Sequence, residues 1–361
     1  MRNSILRLWK GEAGYLRWFL YPPLFFLSFI YKICLDMRER LYKKGIIKTV
    51  DVPIPVISVG NITLGGTGKT PLVAWLSERL KEAGFTPGII TRGYKRRRRG
   101  VFCVDPKADQ ASEVGDEALL LARRLKTPVI VGVDRAKAIE LGISMFNIDL
   151  ALIDDGFQLK GLRKDVEICL LNGKDNGEAG LFPAGPYREE KERIRDAHII
   201  LINKGEPDRV LKGYIEGMPS FRVRYRPMYL YNIKEDLIVH YRYLKGKRVV
   251  AFSGLGDNKS FFEMIDAIGA EIKEMIAFPD HYVYKTKDLK RLRAYNNMDA
   301  FVTTEKDAMK LRGMDVPPNT FYLAIDVDIE EKEGFLNLVS ERLLLFGSPK
   351  QLQERDRLYK H

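Results

Sequence analysis

From residue 54 onward, short and uniformly apolar runs alternate with stretches of helical period. The runs are IPVISVG (54–60), GIITRG (88–93), PVIVG (128–132), LALIDDG (150–156), VEICLL (166–171) and HIILINK (198–204). Between them lie PLVAWLSERLKEAG (71–84), GDEALLLARRL (115–125) and RAKAIELGISMF (135–146). Strands that are apolar at every position are buried on both faces, so the pattern predicts a parallel sheet covered on each side by helices. Near residue 220 the period drops to two. FRVRYRPMYLYN and LIVHYRYL alternate apolar and polar positions, which predicts an antiparallel hairpin or a strand linker. KRVVAFSGLGD (247–257) then opens a second α/β series, continued by EIKEMIAF, DAFVTTEKDA and NTFYLAID.

The segment before residue 45 has a different texture. WFLYPPLFFLSFIY (18–31) carries no charge but is shorter than the roughly 20 residues a spanning helix needs. Arg17 and Lys32 flank it, MRERLYKK (37–44) adds further basic residues, and Pro22 and Pro23 are expected to break or kink a helix. Aromatic residues beside basic ones favour a segment lying in a membrane interface. A helix packed on the protein's own core is the other reading of the same run.

The stretch SVGNITLGGTGKTP (58–71) links the first apolar run to the first amphipathic one. It departs from G-x-x-x-x-G-K-[ST], because Thr63 holds the first glycine position while Gly65 and Gly66 lie inside the loop. The physics survives that change. Small residues let backbone N–H groups of Thr63, Leu64, Gly65, Gly66, Thr67 and Gly68 converge on phosphate oxygens at a helix N-terminus. Lys69 is placed for the β- and γ-phosphates, and the Thr70 hydroxyl for Mg²⁺. ALIDDGFQ ends an apolar run in Asp154 and Asp155, where a second metal-holding carboxylate is expected. INKGE (202–206) has glutamate where a guanine-reading element carries aspartate, and little weight is given to it.

Composition narrows the partners. The chain of 361 residues has a formal charge of +12, concentrated in the first fifty residues, in YKRRRRG (94–100) and at the C-terminus. Such a balance suits an anionic partner. Nucleic acid ranks last, since the basic run lacks interleaved aromatic residues and any recognised module. Cys34, Cys103 and Cys169 lie far apart without metal-ligand spacing and are expected to be reduced.

TRGY (91–94), VGDEALLLA (114–122), DDGFQ (154–158), FPAGPYRE (182–189), FPDHY (278–282) and VTTEKDAMK (302–310), together with the phosphate loop, follow one order. In these blocks the chain resembles the tetraacyldisaccharide 4'-kinases (lipid A 4'-kinases). The resemblance implies a P-loop NTPase-like parallel-sheet domain, a smaller α/β domain joined by a β-strand linker, and an N-terminal membrane-interface helix. The corresponding segments are 1–45, membrane-associating; 46–220, nucleotide-binding and kinase; 221–330, the smaller domain with its linker; and 331–361, a helix and tail. It further implies transfer of the γ-phosphoryl group of ATP to the 4'-hydroxyl of a tetraacyldisaccharide 1-phosphate, giving lipid IV-A. The expected setting is the cytoplasmic face of the inner membrane, and the expected state is a monomer.

Carried over residue by residue, the resemblance makes Asp116 the acceptor of the hydroxyl proton and His281 the group that orients it, with Lys69 on the phosphates. Asp154, Glu189 and Thr70 hold Mg²⁺, and Asp155 and Gln158 line the nucleotide site. Asp116 and His281 fall in different segments, which implies a closure that brings them together. Three positions depart from the family pattern. Leu159 replaces a histidine, Tyr282 replaces a second histidine, and GLGDNKSFF lacks a proline. The Arg96–Arg99 cluster suits either a substrate phosphate or a solvated loop. A nucleotide-switched ATPase acting as a membrane-surface binding protein is the alternative. That class carries a lysine where this chain has Leu64 and has no use for His281.

Overall fold

The computed structural model describes Trp9 and residues 16–345. Its strands are β1 (Val56–Gly60), β2 (Pro87–Thr91), β3 (Phe102–Cys103), β4 (Val129–Val131), β5 (Leu150–Asp154), β6 (Val166–Asn172), β7 (Ile199–Asn203), β8 (Ser220–Asn232), β9 (Ile238–His240), β10 (Arg248–Ser253), β11 (Glu271–Ala277), β12 (Ala300–Thr304) and β13 (Thr320–Ile329). The helices are α1 (Leu16–Lys43), α2 (Lys69–Glu82), α3 (Ala111–Val114), α4 (Asp116–Arg124), α5 (Arg135–Phe146), α6 (Arg209–Ile215), α7 (Asn258–Ala267), α8 (Thr286–Arg293), α9 (Glu305–Leu311) and α10 (Lys332–Leu345). The part of the expected C-terminal tail beyond residue 345 lies outside the described residues.

Contact density groups the described residues into two compact units, each drawn from separated stretches. The first takes the residues up to Lys69, Asp149–Val223 and those from Ile329 onward; the second takes Thr70–Ile148 and Arg224–Asp328. In the first unit the strands run in the order β8-β7-β6-β1-β5, every pair parallel. β1, β5 and β7 are buried at every position, as their unbroken apolar runs predict. On one side of this sheet Ile62, Phe157, Cys169, Leu171, Tyr187 and Ile200 form a core. Each such fully buried side chain contributes about 1.5–3 kcal/mol relative to exposure.

In the second unit β11-β10-β12-β13 is a parallel series, β2 pairs parallel with β4, and β3 closes antiparallel on β4. Successive residues of a strand point to opposite faces. Val249 and Ala251 accordingly pack with Phe261, Phe262 and Ile265 of α7, while Val250 and Phe252 pack with Leu289 and Leu292 of α8. The period-two stretch forms the expected hairpin, with Tyr229 opposite His240, although only Ile238–His240 of its second arm is strand.

Helix α1 corrects one expectation. It runs 28 residues without a break and contains both Pro22 and Pro23. The two prolines lie on an exposed stretch, before the turns that dock. Ser28, Tyr31, Leu35 and Arg38 recur at helical spacing and form the docking stripe. Ser28 Oγ donates to the Leu181 carbonyl at 2.9 Å and accepts from Ala184 N at 2.8 Å. Tyr31 Oη donates to the Arg188 carbonyl at 2.8 Å, Lys32 pairs with Glu190, and Leu35 is buried. Away from that stripe Trp18, Phe19, Phe25, Phe26, Phe29, Ile30 and Ile33 are exposed. By length and composition the helix could also cross a membrane.

Candidate active site

β1 ends at Gly60, the loop follows, and α2 begins at Lys69, so the strand–loop–helix order read from the sequence is met. Gly68 has φ +93°, a conformation that a side chain resists. The loop is braced by its neighbours. Leu64 N donates to the Pro186 carbonyl at 2.8 Å, Thr63 Oγ1 to Asp175 at 3.2 Å, and Asn203 Nδ2 to the Thr67 carbonyl at 3.3 Å. Burial pushes the Asp175 carboxyl up to about 6, against the opposing hydrogen bond from Thr63.

Beside the loop, three charged groups meet around one amide. Lys69 Nζ donates to Asn61 Oδ1 at 3.1 Å and lies 3.4 Å from Asp155 Oδ1. The Arg188 guanidinium donates to both Asp155 oxygens, at 3.0 and 3.1 Å, and also to Asn61 Oδ1. Gln158 Nε2 donates to the Asn61 carbonyl at 2.6 Å. Asp155 sits just past β5 in the left-handed region, with φ +55°. Burial opposes its charge, but Lys69 and Arg188 outweigh that and hold its carboxyl well below the usual range. Two cations face one carboxylate here, which leaves the cluster net positive and suited to a polyanion.

Asp154 is buried at the end of β5, and Thr70 is the second residue of α2. Glu189 is equally buried, but it is engaged by the N-terminal helix. Arg38 Nη2 donates to its two oxygens at 2.7 and 2.8 Å. Burial raises the Glu189 carboxyl above its ordinary value, and Arg38 only partly offsets this. Aspartate, glutamate and hydroxyl oxygens are hard donors, so the chemistry of each of these side chains suits Mg²⁺.

A second constellation lies within the other compact unit. Gly115, with φ +98°, turns the chain into α4, and Asp116 is the first residue of that helix. Asp116 Oδ1 accepts from Glu117 N at 3.0 Å, and Oδ2 lies 3.0 Å from His281 Nδ1. His281 is itself held in the left-handed region, φ +58°, with its ring 4.7 Å from that of Tyr94. Lys306 and Lys310, four residues apart on one face of α9, stand 4.0 and 3.5 Å from Asp116 Oδ2. Asp307 anchors this helix: it accepts from Gly254 N at 2.8 Å and from Lys310 at 2.9 Å.

Burial alone would raise the Asp116 carboxyl. The hydrogen bond from His281 and the charges of Lys306 and Lys310 override it and keep the carboxyl far below its ordinary value. Asp116 and His281 are thus already in contact within one compact unit. The expectation that a closure must bring them together is not met.

Other sequence candidates have local partners. Arg96 and Arg98 lie over the Phe102 ring at 5.4 and 4.1 Å, and Arg98 pairs with Asp109 at 3.5 Å. Glu206 of INKGE is an ion-pair partner of Arg222. Tyr282 stacks on Phe278 at 4.6 Å and donates to Asp288 at 3.0 Å, a packing role at a position where the resemblance expects histidine. Leu159 borders a depression with Tyr42, Lys164 and Glu167.

Sequence reasoning missed Asn61, Arg188, Lys306 and Lys310 as site members, although each lies inside a block that carried the resemblance. It also missed Arg38, for which no local signal distinguishes it from its basic neighbours.

The family model described as Tetraacyldisaccharide-1-P 4'-kinase matches residues 16–344. A protein of Shewanella baltica named tetraacyldisaccharide 4'-kinase is 36% identical over 331 residues, spanning 91% of this chain and 92% of that one. One from Herminiimonas arsenicoxydans with the same name is 36% identical over 348 residues, and one from Coxiella burnetii 32% over 342. They cover 93% and 94% of this chain and 94% and 96% of their own lengths. Among solved structures, the apo form of LpxK from Aquifex aeolicus in complex with ATP is similar at a TM-score of 0.74. It is 33% identical and is matched over 90% of this chain and 99% of that one. With all seven blocks inside the matched span, this chain belongs to the tetraacyldisaccharide-1-P 4'-kinase family.

Proposed function

We propose that this chain is a phosphotransferase that moves the γ-phosphoryl group of ATP to the 4'-hydroxyl of a tetraacyldisaccharide 1-phosphate, forming lipid IV-A. The sugar oxygen forms a bond to the γ-phosphorus as the bond from that phosphorus to the β–γ bridging oxygen breaks. ADP leaves, and the hydroxyl proton passes to Asp116. The site is electrostatic and positional in kind, as phosphoryl transfer requires. The loop of residues 63–68 cradles the phosphates through its amides, and Lys69 neutralises charge on the transferred group. Asp155, Gln158 and Asn61 shape the nucleotide side, with Arg188 holding Asp155. Thr70, Asp154 and Glu189 would hold Mg²⁺, which supplies charge neutralisation on the triphosphate when bound.

The observation that carries this reading is the Asp116–His281 pair, a buried carboxylate kept ionised beside an imidazole at 3.0 Å. A nucleotide switch has no use for such a pair. A strongly acidic carboxyl is a weak base, but in a loose transition state the proton moves late, so a carboxylate that is always ionised suffices.

The reading extends to the membrane. An acylated substrate requires contact with a bilayer, and the exposed aromatic face of α1 suits the acyl–headgroup boundary. A helix fastened to its own protein along the Ser28–Arg38 stripe lies on a surface more naturally than it spans one. The proposal places the chain, as a monomer, at the cytoplasmic face of the inner membrane.

Incubation with γ-labelled ATP and tetraacyldisaccharide 1-phosphate in mixed micelles tests the reaction. Label is expected in the lipid. Asp116→Ala is expected to abolish transfer while nucleotide binding persists. Equal loss of both would assign Asp116 to folding or nucleotide binding and overturn its role.

A further inference from the structure

We propose that Lys306 is a positioning residue that fixes His281 as the neutral tautomer protonated on Nδ1, so that the imidazole offers its single proton to Asp116. The inference deepens the proposed role of Asp116. It starts from which atoms can donate. Lys306 Nζ lies 3.3 Å from His281 Nε2. An ammonium has donors and no acceptor, so Nε2 must present its lone pair. On the other edge of the ring, Nδ1 lies 3.0 Å from Asp116 Oδ2, and an ionised carboxylate only accepts. The two neighbours therefore demand the same tautomer, one from each side.

The groups facing the ring are few. Among the described residues these are Asp116 from α4, Asp280 from the ring's own loop, Lys306 from α9 and the Tyr94 ring, with Glu117 and Lys310 one step beyond, against Lys306 and Asp116. Asp280 would favour an imidazolium, but its oxygen is 3.7 Å from Nε2, beyond a hydrogen bond. Lys306 is nearer and is firmly charged. Burial alone would lower its pKa, yet Glu117, Asp116 and Asp280 together raise it well above the ordinary lysine value. Glu117, 2.9 Å away, and Asp280, 3.4 Å away, hold the ammonium in place.

The chemical consequence concerns the base. Lys306 and Lys310 already place two positive charges near Asp116. An imidazolium would add a third and lower its proton affinity further. A neutral imidazole orients Oδ2 without that penalty, and it needs no change of charge when Asp116 takes the alcohol proton.

Nitrogen NMR on the full chain labelled at histidine tests the assignment directly, with the His281 signals identified by their loss in His281→Gln. The expected spectrum at neutral pH shows hydrogen on Nδ1 and a lone pair on Nε2. Hydrogen on Nε2, or an imidazolium at neutral pH, overturns the proposal whatever the reaction proves to be. In Lys306→Met hydrogen is expected on Nε2 in part of the molecules, with a lower kcat. Lys306→Arg keeps a charged donor and is expected to restore the wild-type spectrum. A purely structural lysine would lower the rate and leave the tautomer unchanged, which also overturns the proposal. Should Lys306→Met not fold, the wild-type spectrum decides alone.

Discussion

Replacing Arg38 with methionine removes the cation that the N-terminal helix supplies to Glu189. The carboxylate has 2% of its side chain exposed, and one guanidinium nitrogen reaches both of its oxygens. Truncating one partner of a fully buried pair costs about 3–5 kcal/mol. Arg38 keeps 33% of its side chain in solvent, so screening reduces the expected loss to about 2 kcal/mol. An unfolding entropy of about 2.1 cal/mol/K per residue, over 361 residues, gives about 0.8 kcal/mol/K, hence a fall in Tm of about 3 °C.

The pH dependence has a definite sign. Glu189 already has a raised folded pKa, so the folded state holds its proton more tightly than the unfolded chain. That contribution is fully present below the unfolded value and is lost as pH rises through the folded one. Without Arg38 the folded value moves further up. The deficit of Arg38→Met should therefore be small near pH 4.5 and full near pH 8, both figures being approximate. Thermal unfolding across that range measures it, and Arg38→Met combined with Glu189→Gln should recover most of the loss. A deficit independent of pH, or strict additivity of the two changes, would refute the coupling.

Lys69→Ala should lower kcat by about two to three orders of magnitude in steady-state phosphoryl transfer, as loss of a single charge-stabilising donor does elsewhere; a wild-type rate would remove the loop lysine from the mechanism. Serine at Phe25, Phe26 and Phe29, whose exposures are 58%, 62% and 56%, should release the protein from vesicles of anionic lipid while leaving Tm unchanged. Each phenylalanine carries about 1.5–3 kcal/mol of transfer energy, so continued co-sedimentation of the triple variant would contradict interfacial anchoring. Deleting the whole helix is a poorer test, since it also strips Ser28, Tyr31 and Arg38 from residues 181–189.

Periodicity made the strands legible. β1, β5 and β7 are apolar at every position because both faces are covered, and no tertiary competitor overrides that pattern. The glycine-rich loop between a strand and a helix was legible for a similar reason. Its backbone needs are local, so Gly68 and the strand–helix context suffice to place Lys69. The interleaving of the two compact units was not legible. A boundary near residue 220 follows the change of period, but contact density joins Thr70–Ile148 with Arg224–Asp328 across more than seventy intervening residues. Asp116 and His281, assigned to separate segments, are 165 positions apart and hydrogen-bonded.

Charge partners were the least legible feature, and α1 shows why. A run of aromatic residues followed by MRERLYKK announces an apolar surface with a basic border, which averages over the helix. Its function depends instead on which residues share one side. Ser28, Tyr31, Leu35 and Arg38 face the protein, while Phe25, Phe26, Phe29 and Ile33 do not. Two prolines upstream suggested that no continuous helix would exist to sort them. Once the helix persists through Pro22 and Pro23, the helix whose exposed face suits a bilayer also delivers the Arg38 guanidinium to Glu189. Tyr31 bonds the carbonyl of Arg188, whose side chain holds Asp155 and, through it, faces Lys69. The exposed aromatic helix and the glycine-rich loop are therefore joined through residues 188 and 189, and a change on the docked stripe should alter nucleotide affinity even when the exposed face is intact.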